Sequence, residues 1–74
     1  MTTIPELEAE VARLRERYAT EMDHLAKYAR VESEQTRAGS APDALAGAVL
    51  QRALSTYHLW VEADKNLWRV RQGR

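Results

Sequence analysis

The sequence contains no cysteine, only two prolines and three glycines, no long hydrophobic run, and no excess of either charge. Without cysteine, the chain can form neither a disulfide framework nor a zinc module with cysteine ligands. No stretch reaches the roughly 18 apolar residues of a membrane-spanning helix, so we expect no transmembrane segment. The segment after Met1 soon becomes acidic and lacks an apolar core, so we expect no signal peptide and a cytoplasmic protein.

The small size of the chain limits how much of it can be buried. A chain of 74 residues is one domain at most, and a domain of this size is only marginally stable. Hydrophobic residues make up 45% of the sequence, but twelve of them are alanine. Ordering the chain costs about 1.5 kcal/mol per residue. Because the sequence suggests no cofactor and no disulfide, we expect association with a second copy or with a larger protein to contribute to stability.

The first long segment of the chain has a helical pattern. Its start, Thr3-Ile4-Pro5-Glu6, is typical of a capping box with proline in the first turn. Apolar residues then recur at helical spacing, and one extra four-residue step from Tyr18 to Met22 predicts a nearly straight helix. The predicted stripe comprises Ile4, Leu7, Val11, Leu14, Tyr18, Met22, Leu25 and Ala29.

The second long segment follows the only turn-like cluster, residues 38–43, and has a wider apolar arc. Ser40 and Asp43 predict a second capping box. Gly47 falls inside the predicted helix, where glycine costs about 1 kcal/mol relative to alanine. The predicted seam comprises Ala46, Leu50, Ala53, Tyr57, Trp60 and Leu67, with Leu54, Val61 and Trp68 beside it.

These patterns predict an all-α fold, an antiparallel two-helix hairpin that forms one domain over residues 1–74. We expect helix 1 at about 4–37, a turn at 38–41 and helix 2 at about 42–71, with position i of helix 1 facing about 79 − i of helix 2. Helix 2 has more apolar surface than one neighbour covers. The sequence therefore predicts that the hairpin dimerises into a four-helix bundle or docks on another protein.

Charge is unevenly distributed along the neutral chain. Residues 1–38 carry eight acidic and six basic side chains, a net charge of −2, whereas residues 39–74 carry three acidic and five basic, a net charge of +2. In the hairpin the acidic start of helix 1 would lie against the basic end of helix 2. Asp64 falls in the predicted seam, where we expect it to be buried and paired with Arg15, with Arg13 and Arg17 also within reach.

One alternative interpretation is a metal-binding bundle. Glu21 and His24 are three residues apart on helix 1, and His58 and Glu62 are four apart on helix 2. Neighbouring Glu and His ligands on bundle helices hold di-iron centres in some proteins, and the 79 − i register puts Glu21 opposite His58. Chance proximity and surface pairing of Glu21 with Arg17 explain the same pattern without a metal.

A second alternative is a small nucleic-acid-binding regulatory protein. Basic residues mixed with an aromatic at the C-terminal end favour phosphate contacts and base stacking. The candidate residues are Lys65, Arg69, Arg71 and Arg74. Basic residues that complement the dipole of a helix C-terminus explain them equally well, so we do not expect nucleic acid to be the partner.

The leading interpretation is a non-catalytic protein–protein interaction or assembly module. The chain has no glycine-rich phosphate loop and no credible nucleophile–base arrangement, and a hairpin has little concave surface, so we do not expect an enzyme. The partner would be a second copy of the chain or a larger protein. The residues predicted to form the interface are Leu50, Leu54, Tyr57, Trp60, Val61, Leu67 and Trp68.

Overall fold

A computed structural model, which describes residues 3–42 and 44–73, consists of two α-helices. Helix α1 spans Ile4–Arg37 and helix α2 spans Leu45–Arg71. The two helices run antiparallel and pack along their length, which gives a rod 58 Å long and 16 by 14 Å across. The predicted all-α helical hairpin is confirmed.

Helix α1 has the boundaries that the sequence predicts. Thr3 is the N-cap, and its Oγ1 accepts a hydrogen bond from the Glu6 amide at 3.3 Å, while Pro5 occupies the first turn. At the other end Gly39 has a φ of +86°, and the Ser40 amide donates to the Gln35 carbonyl at 2.9 Å. Glycine tolerates this left-handed conformation, which satisfies a carbonyl of the last turn and stops the helix.

Helix α2 begins three residues later than predicted. Its N-cap is Ala44, which has a left-handed φ of 60° and makes no side-chain capping bond; Asp43 lies outside the described residues. The cap comes from the other helix instead, because Glu32 Oε1 accepts a hydrogen bond from the Ala46 amide at 2.9 Å. A carboxylate is well suited to the exposed amides and positive dipole end of a helix. The cap therefore also ties the two helices together beside the turn.

The backbone of Ala44 gives a first testable prediction. A residue with a Cβ in the left-handed region is strained by about 1–2 kcal/mol, and glycine is not. We expect Ala44→Gly to raise the free energy of unfolding by about 0.5–1 kcal/mol, since part of the gain is offset by the greater freedom of glycine in the unfolded chain. Urea denaturation measures the change. The control is Ala41→Gly, also in the link before α2 but without a positive φ, which should be neutral or destabilising.

The core of the hairpin follows an unbroken heptad repeat in both helices. On α1 the predicted four-residue step from Tyr18 to Met22 is wrong, because Met22 is 37% exposed whereas Glu21 is buried. On α2 the intervening seam positions are one residue earlier than predicted, so Val49 and Thr56 face α1 in place of Leu50 and Tyr57. The buried and half-buried seam residues are Leu7, Val11, Leu14, Tyr18, Glu21, Leu25 and Tyr28 on α1, and Ala46, Val49, Ala53, Thr56, Trp60, Ala63 and Leu67 on α2.

The predicted register is close to the observed one. Arg71 Nη2 donates to Glu8 Oε2 at 2.8 Å, which is the pairing that 79 − i requires. Near the middle Glu21 contacts Thr56, two residues before the predicted position 58. The prediction of a buried Asp64 is wrong, because Asp64 is exposed: the seam passes through Ala63 and Leu67 instead. Asp64 and Arg15 line the same surface groove.

Candidate protein interaction surface

The heptad repeat gives the hairpin two distinct sides. On each helix, the residue immediately after a seam residue lies to one side of the seam. Because the two helices are antiparallel, these residues of α1 and of α2 lie on the same side of the hairpin. One surface groove demonstrates this arrangement, because its lining includes Ala12 and Arg15 from α1 together with Asp64 and Arg71 from α2. The positions one residue after each seam residue, taken along both helices, define this side of the hairpin.

This side carries most of the large exposed apolar residues of α2, at a spacing of three and four. Leu50, Leu54 and Tyr57 are 41%, 43% and 42% exposed, and Trp68 is 60% exposed. Val61 is half-buried, and Asp64 fills the one polar position among them. We call this surface the apolar side; its α2 residues are Leu50, Leu54, Tyr57, Val61 and Trp68.

Helix α1 contributes small residues to the apolar side. Alanine occurs three times at seven-residue spacing, and Met22 and Ala29 lie at the intervening positions. All of these side chains are exposed. The α1 residues of the apolar side are Ala12, Ala19, Met22, Ala26 and Ala29. Arg15 lies between Ala12 and Ala19 on the same side. Apart from Arg15 and Met22, the large side chains of α2 therefore border a strip of alanines.

The opposite side of the hairpin is more polar. Glu10 accepts two hydrogen bonds from Arg13, at 2.6 and 3.2 Å. These hydrogen bonds, together with the negative charge of Glu10, raise the pKa of the Arg13 guanidinium. A groove on this side is lined partly by His24 and Arg52. Leu59, which is 53% exposed, also projects on this side. Exposed leucines thus occur on both sides, but only the apolar side has large apolar residues at four successive positions, Leu50, Leu54, Tyr57 and Val61.

No known protein family matches this chain, and no curated protein or solved structure is significantly similar to it. Within residues 3–42 and 44–73, no helix is long and apolar enough to cross a membrane.

Two of the predicted interface residues serve the hairpin itself. Leu67 is only 4% exposed and belongs to the core. Trp60 is half-buried and its ring centroid lies 5.8 Å from that of Tyr18 on α1, while Tyr57 lies 5.7 Å from the same ring. Tilted and edge-on aromatic pairs at these distances are favourable. Tyr57 is shared between this cross-helix cluster and the surface, and the other predicted residues, Leu50, Leu54, Val61 and Trp68, lie on the apolar side.

The predicted metal ligands are dispersed. Glu21 is 7% exposed and accepts hydrogen bonds from Thr56 Oγ1, at 2.8 and 3.0 Å, and from Arg17 Nε at 2.9 Å. His24 and His58 are exposed, and Glu62 forms an ion pair with Lys65 at 3.7 Å. In the described part of the chain, no three His, Asp or Glu side chains are grouped as a metal site would require. Thr56, which the sequence did not single out, is the partner that Glu21 has across the seam.

The basic residues near the C-terminal end are largely engaged within the chain. Arg71 pairs with Glu8, Lys65 with Glu62, and Arg69 donates a hydrogen bond to Asn66 at 3.1 Å. Arg74 lies outside the described residues. The Glu8–Arg71 pair joins the acidic start of α1 to the basic end of α2, as the charge distribution predicts.

Proposed function

We propose that this chain is a non-catalytic protein–protein interaction module that associates through the apolar side. The observation that supports this function most directly is the row of four large side chains on α2, each at least 41% exposed, that the hairpin does not cover. Monomeric soluble proteins rarely expose contiguous apolar patches of this kind unless the patch binds something. The seam with α1 uses a separate stripe, so covering this row does not require the hairpin to open.

The composition of the apolar side also suits an interface. Tyrosine, tryptophan and methionine are enriched at protein interfaces, and Tyr57, Trp68 and Met22 all lie here. Aromatic anchors surrounded by smaller residues are the usual arrangement of binding hot spots. In helix bundles, a further helix packs against a row of apolar residues at three- and four-residue spacing. The α2 residues of the apolar side form such a row.

The test compares Leu54→Glu with Leu59→Glu. The two leucines are on the same helix with similar exposure, 43% and 53%, but they project from opposite sides of the hairpin. A carboxylate buried in an interface costs several kcal/mol, so we expect Leu54→Glu to weaken association by at least about 100-fold. Leu59→Glu should associate like the natural chain, and circular dichroism should show that both variants remain helical.

Association is measured in two ways: by sedimentation of the purified chain over a range of concentrations, and by capture of partners from an extract of the source cells with each variant. The proposal predicts that at least one of these binding activities is present in the natural chain, retained by Leu59→Glu and lost by Leu54→Glu. Equal behaviour of the two variants in both measurements would refute it.

A further inference from the structure

We propose that the partner of the apolar side is a second copy of this chain, arranged so that α2 of each copy packs on α1 of the other. This inference rests on the proposed function, because it names the occupant of the same surface. It depends on three observations: the match of large and small residues, the match of charges, and the area that becomes buried.

Small residues of α1 lie at heights along the rod that are flanked by large residues of α2. In the register of the Glu8–Arg71 pair, Trp68 is within a residue of the height of Ala12. In the register of the Glu21–Thr56 contact, Ala19 lies between Tyr57 and Val61, and Ala26 lies between Leu50 and Leu54. A two-fold axis parallel to the rod leaves the height of every residue unchanged. It places α1 of one copy opposite α2 of the other across the interface. Trp68, Val61 and Leu54 of one copy then pack beside alanines of the other, and Tyr57 packs near Met22, which allows close packing without voids.

The charged residues on this side obey the same symmetry. Arg15 and Asp64 are level with each other and are both exposed, and Glu8 and Arg71 are level at the end of the rod. With the axis along the rod, Arg15 of one copy faces Asp64 of the other, and Glu8 faces Arg71. Opposite charges at matching positions fix orientation and exclude other arrangements.

The opposite orientation, with a two-fold axis across the rod near Tyr57, is less favourable. It would place α2 on α2, so that Leu54 meets Val61 and Asp64 meets Leu50. The Asp64 carboxylate would then be buried against Leu50 without a basic partner, which costs free energy because water is excluded. This orientation would also put Ala12 on Ala29 of the other copy and leave that part of the strip underpacked.

The area available matches a stable dimer. The apolar side and its flanking charges extend over residues 8–33 of α1, which is about 39 Å of helix, and the hairpin is 16 Å across. Their product is about 600 Å² on each copy, or about 1,200 Å² in total, which is the lower end of the range for a standard specific interface. A four-helix bundle of this form lets both apolar strips bury each other completely, and every neighbouring pair of helices is antiparallel.

Disulfide trapping tests the arrangement, since the natural chain has no cysteine to interfere. Ala19→Cys and Val61→Cys variants are prepared separately, mixed, and oxidised mildly; a second mixture combines Leu54→Cys with Val61→Cys. A disulfide requires Cα atoms within about 7 Å. We expect the 19–61 mixture to give the mixed disulfide as its main product and the 54–61 mixture to give none. The same mixtures in urea control for random collision, and sedimentation of the natural chain should show about twice its 8.5 kDa mass.

The other results separate the two proposals. A 54–61 link, or a dimer that forms neither link, would overturn the arrangement but leave the apolar side as the interface. A natural chain that stays monomeric at all concentrations would overturn the second copy as partner. In that case the capture experiment with Leu54→Glu and Leu59→Glu still decides whether the apolar side binds another protein.

Discussion

Replacing Leu67 with alanine should remove most of the stability of the hairpin. Leu67 is 4% exposed and lies beside Val11, which is 7% exposed, so its side chain is one of the few fully packed contacts between the helices. Truncating a buried leucine costs about 2–5 kcal/mol, from lost burial and the cavity that remains. Native domains are stable by roughly 0.05–0.15 kcal/mol per residue, so a chain this short has little to spare. Urea denaturation followed by circular dichroism measures the loss.

Leu59→Ala is the matched control for this prediction. It makes the same chemical change on the same helix at a residue that is 53% exposed, where substitutions usually alter stability by about 0.5 kcal/mol or less. Both variants must be compared at one protein concentration, because self-association would add a concentration-dependent contribution to stability. Equal destabilisation by the two substitutions would mean that Leu67 is not the core residue that its burial indicates.

The sequence predicts the hairpin well because its strongest signals are local. The 3–4 spacing of apolar residues, the Thr3 cap and the turn around Gly39 each determine one element without reference to the rest of the chain. A short link then leaves antiparallel packing as the only arrangement of two long helices. The start of α2 is different, because its capping carboxylate, Glu32, comes from the other helix. No local signal marks such a contact.

The choice of seam on α2 could not be predicted from large residues alone. Two neighbouring stripes of this helix have the same spacing: Val49, Ala53 and Thr56 in one, and Leu50, Leu54 and Tyr57 in the other. Weighting by side-chain size favours the second stripe, yet the hairpin buries the first, whose small residues let the helices approach closely. The signal that was missed is the seven-residue repeat of Ala12, Ala19 and Ala26, which marks a second stripe of α1 suited to large neighbours.

Replacing Thr56 with valine should destabilise the chain by about 1–3 kcal/mol, because it removes a hydrogen-bond donor from a buried carboxylate. Thr56 is fully buried, and its hydroxyl donates to Glu21, which keeps only the half-exposed Arg17 as a partner after the substitution. Valine has nearly the same shape, so the loss measures the unsatisfied carboxylate and not a cavity. Ser55→Ala is the control, since that neighbouring hydroxyl is exposed and bonds only to the Gln51 carbonyl.

The double variant Glu21→Leu with Thr56→Val distinguishes a stabilising contact from one that sets the register. Replacing both partners of a buried polar pair by apolar groups is often neutral or stabilising, so we expect the double variant to recover at least the natural stability. What it should lose is specificity, because a polar pair within an apolar seam is satisfied in one register only. The disulfide trapping of residues 19 and 61, repeated in this background, should then give a lower yield of the mixed product. A double variant as unstable as Thr56→Val would show instead that the loss comes from packing at position 56.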